Sequence, residues 1–146
     1  MADSRDPPDS VGRRHQAPRF LIVDDDDMVL RQRRRTLRSR CPHWQVFTAE
    51  SAKAALEQMA TREYDVVCSD LSMPDMDGIE LLSIVRKEHP KVVRMLCSGL
   101  ATGIDEGGPV GGLLHAVLDK TAGTEQLIAA LERALGYIDV ADGDEF

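Results

Sequence analysis

Short apolar runs alternate with longer stretches of helical period along most of this chain. Phe20–Val23 is a four-residue apolar run that ends in acid, the pattern of a strand buried on both faces. Asp27 is placed to cap a helix running to about Arg40, and Pro42 follows its end. Trp44–Thr48 predicts a second strand, with Trp44, Val46 and Thr48 on one face and Phe47 on the other. Ser51 is placed to cap a second helix, Ala52 to about Ala60, whose apolar stripe is Ala55, Leu56 and Met59. Asp65–Ser69 predicts a third strand, and Gly78–Glu88 a third helix that Pro90 stops. Val92–Cys97 and Leu114–Leu118 predict two more strands. Thr124 is placed to cap a last helix, Glu125 to about Leu135, with Leu127, Ile128, Leu131 and Leu135 apolar. Repeated strand–helix alternation predicts an α/β fold: a doubly wound parallel sheet with helices on both faces. In such folds the functional crevice lies at the carboxyl ends of the strands.

The chain's 146 residues suffice for one domain. Residues 1–18 mix Asp, Arg, Ser and Pro without an apolar period and are expected to form a disordered tail; residues 19–138 form the domain, and residues 139–146 an acidic tail. No apolar run approaches the roughly 18 residues of a membrane span, and the polar first residues hold no secretory apolar core, so the expected location is cytoplasmic. Acidic residues outnumber basic ones 25 to 18, for a net charge of −7, which argues against direct nucleic-acid binding. Cys41, Cys68 and Cys97 form neither a zinc set nor a CxxC pair and read as buried thiols of a reducing compartment. His15, His43, His89 and His115 are scattered, without metal-ligand spacing.

The strand ends carry the chemistry. The first runs into Asp24-Asp25-Asp26-Asp27, the third into Asp70, the fourth into Ser98 and the fifth into Asp119-Lys120. If these strands are neighbours, carboxylates, a hydroxyl and an amine converge on one pocket. Packed carboxylates repel one another and raise one another's pKa values, a strain that a hard divalent cation relieves. Mg²⁺ takes one or two carboxylates while keeping phosphate oxygens as further ligands. A lysine and a hydroxyl then suit the oxygens of a phosphoryl group. Taken alone, four acids could also be a solvated turn at a helix start, where negative charge is favourable. The agreement of the other strand ends favours a site.

With these positions the chain resembles the receiver domain of two-component response regulators, the CheY-like family, from about Phe20 to Leu135. The most specific stretch is DVVCSDLSMPDMDGIELL, residues 65–82: an apolar strand, an acceptor Asp, then MP, then a DG turn opening a helix. FLIVDD at residues 20–25, MLCSG at 95–99 and LDK at 118–120 match the family's acidic-pair, hydroxyl and lysine strands. The resemblance implies a flavodoxin-like sheet of five parallel strands in order 2-1-3-4-5. It implies that Asp70 is the phosphoacceptor and that Asp25, Asp70 and the Ser72 backbone carbonyl bind Mg²⁺, with Asp24 helping through water. Ser98 would donate to the phosphoryl group and move toward it on activation, and Lys120 would pair with a phosphoryl oxygen. The implied partners are a histidine kinase or histidine phosphotransfer protein and an unknown downstream effector protein, with no membrane partner and with a homodimer left open. The expected role is a signalling module, not an enzyme with turnover.

The sequence departs from the family pattern at three places. Thr121 follows Lys120 where the family usually has a proline after a cis bond, so a trans bond and some displacement of the lysine are expected. Val117 replaces the usual switch aromatic. Gly99–Gly112 holds six glycines and Pro109 where the family has its fourth helix, which should be short or irregular. These departures keep a second reading in view, a degenerate receiver that docks proteins without efficient phosphorylation. An aspartate-nucleophile phosphatase would need an acid at Ser72, and a nucleotide or flavin site would need a Gly-rich cradle where four aspartates stand. Six arginines (Arg31, Arg33, Arg34, Arg35, Arg38, Arg40) crowd the first helix, whose thin inward stripe is mainly Val29, Leu30 and Leu37, so some must lay their stems along the core edge.

Overall fold

The computed structural model describes residues 17–99 and 112–143. In chain order it contains β1 (Arg19–Val23), α1 (Asp27–Arg40), β2 (Gln45–Ala49), α2 (Ala52–Met59), β3 (Val66–Asp70), α3 (Gly78–Glu88), β4 (Val93–Ser98), β5 (Ala116–Asp119) and α4 (Thr124–Gly143). The strands form one parallel sheet in the order β2-β1-β3-β4-β5, as the family resemblance implies. The expected short or irregular helix in Gly99–Gly112 lies outside the described residues, apart from Gly99 and Gly112 themselves. Of the expected N-terminal tail only Ala17 and Pro18 are described.

Strand alternation builds two cores. Phe20, Ile22, Val66, Cys68, Val93, Met95 and Cys97 face one side, joined by Leu30 and Leu37 of α1 and Leu127 and Leu131 of α4. Leu21, Val23, Val67 and Leu96 face the other, joined by Ala55 and Met59 of α2 and Leu81, Leu82 and Val85 of α3. A strand with both faces covered has to be apolar throughout, which is why the runs read as continuous. Trp44 stacks on Phe20 with ring centroids 4.4 Å apart and closes the first core just before β2.

The strands shift by one or two residues from the sequence reading, and the ends of two helices differ from it. Asp26, not Asp27, caps α1: its carboxylate accepts from the backbone N–H of Met28 and Val29. A cap residue needs extended backbone, and Asp26 supplies it. Gly123, not Thr124, precedes α4 and gives its carbonyl to Leu127 N–H, while its own N–H donates to Gln126 Oε1. The α4 backbone runs on through Gly143, past the expected end near Leu135 and into the stretch read as an acidic tail; no proline intervenes to stop it. Ser51 caps α2 as expected, and Asp77 and Glu80 form a reciprocal capping box on α3.

Two arginines, Arg33 and Arg94, reach into the core layers. Arg33 alone of the α1 arginines bonds inward, its Nη2 3.4 Å from Cys97 Sγ, while Arg31 pairs with Asp27 and Arg40 with Glu125 on the surface. Arg94 on β4 is buried, and it donates to the carbonyls of Leu113, Val92 and Pro90. Its backbone N–H donates to His115 Nδ1, so the β4–β5 ladder begins only at Met95 and Ala116. That is why β5 starts later than the apolar run at Leu114 suggests.

Candidate functional site

The register brings the expected strand ends together. Val23 lies beside Ser69, Asp70 beside Cys97, and Ser98 beside Asp119, so the residues at or just beyond the carboxyl ends of β1, β3, β4 and β5 share one rim. Carboxylate oxygens of Asp24, Asp25 and Asp70 all lie within 4.8 Å of one another. Asp25 is exposed at the mouth, whereas Asp24 and Asp70 are buried. Asp24 Oδ1 accepts the backbone N–H of Asp26 at 2.9 Å, while its Oδ2 is buried and faces Lys120. Lys120 Nζ lies 3.0 Å from Asp70 Oδ2 and 3.2 Å from Asp24 Oδ2. The four-aspartate run therefore divides. Asp24 and Asp25 belong to the site, whereas Asp26 caps α1 and Asp27 pairs with Arg31 in its first turn.

The electrostatics follow from this packing. Burial pushes the Asp70 carboxyl up, and the charges of Asp24 and Asp25 push the same way; the hydrogen bond from Lys120 opposes them without cancelling them. Burial works to lower the Lys120 ammonium, but the hydrogen bond to Asp70 and the charge of Asp24 outweigh it and hold it above the usual lysine value. The site thus holds more negative charge than its one lysine balances. Three hard carboxylate donors with one lysine to balance them suit Mg²⁺.

Asp70 is held from below by a contact that sequence reasoning missed. A Cβ on Gly78 would stand 2.3 Å from the Asp70 carbonyl oxygen, and Gly78 N–H donates to Leu71 O at 2.8 Å. The loop after β3 therefore folds back so tightly that only glycine fits beneath Asp70. The DG turn carried the signal, but it reads as an ordinary helix opening. Asp75 in the same loop has φ 72°, a left-handed conformation that Asp tolerates better than most side chains. Ser72 stands in this loop, exposed and two residues beyond Asp70.

Ser98 ends β4 in a buried position, and its carbonyl accepts Lys120 N–H at 3.0 Å. The described chain has no cis peptide bond, so Lys120–Thr121 is trans as expected. The expected displacement of Lys120 is not seen: Nζ reaches both buried carboxylates. The reason is local. Asp119 Oδ1 accepts both the backbone N–H of Thr121 (2.9 Å) and its hydroxyl (2.8 Å), and Ala122 N–H donates to Asp119 O. These two donors hold the Asp119 carboxyl below its usual range. Val117, in the place of the family's aromatic, is half-buried against the second core.

The sheet order, with three acids and a lysine at its carboxyl rim, points to a receiver-type signalling module. The profile of the response regulator receiver domain matches residues 20–132, and the chain belongs to that family. Over 80 residues, 53% of this chain, it is 44% identical to the two-component response regulator ARR10 of Arabidopsis thaliana. Over 83 residues, 56% of this chain, it is 42% identical to the sensor kinase CckA of Brucella abortus. These matches span only 14% and 9% of the two relatives' lengths. The signal receiver domain of an HD domain-containing protein from Pseudomonas fluorescens superposes with a TM-score of 0.75 at 29% identity, covering 86% of this chain and 99% of that one. A CheY-like receiver domain from Methanospirillum hungatei shares the fold at TM-score 0.76 and 23% identity, covering 86% of this chain and 99% of that one. No described helix is long and apolar enough to cross a membrane.

Proposed function

We propose that this receiver accepts a phosphoryl group on Asp70 from the phosphohistidine of a histidine kinase or histidine phosphotransfer protein, with Mg²⁺ held by Asp25, Asp70 and the Ser72 carbonyl and Asp24 helping through water. The observation that carries this reading is Lys120 Nζ at 3.0 Å from Asp70 in a pocket with three convergent carboxylates. A carboxylate oxygen of Asp70 attacks phosphorus in line. The new O–P bond forms as the P–N bond breaks, and the electron pair leaves on the imidazole nitrogen. Lys120 keeps its proton throughout and turns from the Asp70 carboxylate to the incoming phosphoryl oxygens. The Ser98 hydroxyl donates to another of those oxygens. When bound, the cation supplies neutralising charge for the phosphoryl oxygens in a loose transition state. The acyl phosphate leaves a large charge at the ends of β3 and β4, and drawing Ser98 toward it biases the domain toward a second arrangement that an effector reads. Partners meet the module in the cytoplasm. The undisplaced Lys120 favours this reading over a module that only docks.

Incubation with acetyl phosphate and Mg²⁺, followed by intact-mass spectrometry, tests the reading. One phosphoryl adduct is expected, absent in Asp70→Asn and absent with EDTA. Equal labelling of wild type and Asp70→Asn would refute the acceptor assignment. A wild type that labels with neither acetyl phosphate nor a phosphohistidine donor would leave the docking-only module.

A further inference from the structure

We propose that Thr121 and Asp119 form a positioning device for Lys120, a polar clamp that holds the lysine's turn in the geometry from which Nζ reaches Asp70. The inference rests on the phosphoacceptor reading and adds two residues to it, neither of which touches the reacting atoms.

The argument begins with where Lys120 sits. β5 is an edge strand of only four residues, and Lys120 comes directly after it at the sheet margin, half-buried. A long, flexible lysine side chain has high rotamer entropy, and its reach depends on where its Cα is held. The lysine's own N–H is anchored to Ser98 O at 3.0 Å, which fixes the entry to the turn. The exit is fixed by its two neighbours. Asp119 Oδ1 accepts Thr121 N–H at 2.9 Å and Thr121 Oγ1 at 2.8 Å, and Asp119 O accepts Ala122 N–H at 2.9 Å. The residues on either side of Lys120 are thus tied to each other around it, two of the bonds being to a charged acceptor and so stronger than neutral ones. A proline at position 121 could not donate the first of these bonds. The hydroxyl supplies the second, so threonine brings two donors to one oxygen.

Asp119 and Thr121 are both exposed, and neither approaches the carboxylate cluster as a ligand. Their effect on phosphoryl transfer passes through Lys120. Loosening the clamp should slow labelling of Asp70 while leaving cation affinity and global stability in place.

The test compares Asp119→Ala, Thr121→Val and Thr121→Ser with wild type and Lys120→Ala. The readouts are the initial rate of acetyl phosphate labelling, its Mg²⁺ dependence, the thermal midpoint, and hydrogen exchange at the Thr121 amide. Thr121→Val loses the hydroxyl bond alone and is expected to slow labelling about threefold; Asp119→Ala loses both and should slow it about tenfold. Thr121→Ser should restore the wild-type rate. Half-maximal Mg²⁺ and the thermal midpoint should stay put, and the Thr121 amide should exchange faster in Asp119→Ala. Wild-type rates in Asp119→Ala and Thr121→Val, with Lys120→Ala slow, would overturn the clamp and leave the function standing. So would a loss that Thr121→Ser fails to restore. A wild type that does not label refutes the phosphoacceptor reading instead, and there the amide decides: an unprotected Thr121 amide in wild type overturns the clamp as well.

Discussion

Asp70 closes a fully buried strand between β1 and β4, with Gly78 pressed against its carbonyl, whereas Lys120 follows an edge strand whose neighbouring turn is exposed and held by Asp119 and Thr121. Asp70 is fixed by packing, which tolerates almost no change of shape, and the amine by polar bonds at the surface, which exchange with water. On the proposed reading, in which Asp70 attacks and Lys120 follows the arriving charge, that division suits the site.

The packed side breaks hardest. Gly78→Ala places a methyl group 2.3 Å from the Asp70 backbone oxygen, so the loop must move. Urea unfolding should show a loss of about 3 kcal/mol, the upper range for overpacking. A loss below about 0.5 kcal/mol, within the range of an ordinary surface change, would show that the loop yields easily and that the contrast is false.

Charge on the packed side gives a smaller effect of opposite sign. Asp70 titrates above its usual range because it is buried beside Asp24 and Asp25. Its raised folded pKa means that the folded state takes up a proton before the unfolded state does, so stability rises as pH falls through that value. Asp70→Asn removes the charge and should stabilise the metal-free protein at neutral pH, read as a higher urea midpoint. Destabilisation by the same variant would mean that the Lys120 pair outweighs burial and repulsion.

The smallest effect lies at the far end of β5. His115 Nδ1 accepts the Arg94 backbone N–H, so that bond requires an unprotonated Nδ1, and burial followed by the Arg94 charge lowers the imidazole pKa. With a depressed folded pKa, the unfolded state binds the proton first, and stability is lost as pH falls below about 6.5. The loss should stay under about 1 kcal/mol, because the ring is partly exposed and screened. His115→Asn keeps an acceptor without titrating, so its stability should fall less between pH 7.5 and 5.5 than that of wild type. Parallel pH profiles would rule out the proposed role of His115.

The fold was legible because buried parallel strands and amphipathic helices write different periods into the chain. Phe20–Val23 and Gly78–Glu88 could be read almost to the residue. The site was legible to the extent that it consists of residue types at strand ends: Asp24, Asp25, Asp70, Ser98 and Lys120 meet there. What could not be read were contacts made between segments far apart or through backbone atoms. Gly78 shows its role only once Asp70 lies over it, and the buried Arg94 only once three carbonyls surround it. Thr121 looked like a loss of the family's proline, because the carboxylate that replaces the proline's constraint belongs to a residue read as part of a strand end.

The central claim is that Asp24, Asp25 and Asp70 form one cation site whose repulsion a divalent ion relieves. The most direct test is the thermal midpoint of wild type and Asp25→Asn as Mg²⁺ is raised. At 100 times its dissociation constant, Mg²⁺ should stabilise wild type by about 2.7 kcal/mol. Asp25→Asn should need far more of the ion for the same shift. A wild-type midpoint that does not move at saturating Mg²⁺, or one that moves equally in Asp25→Asn, would contradict the account.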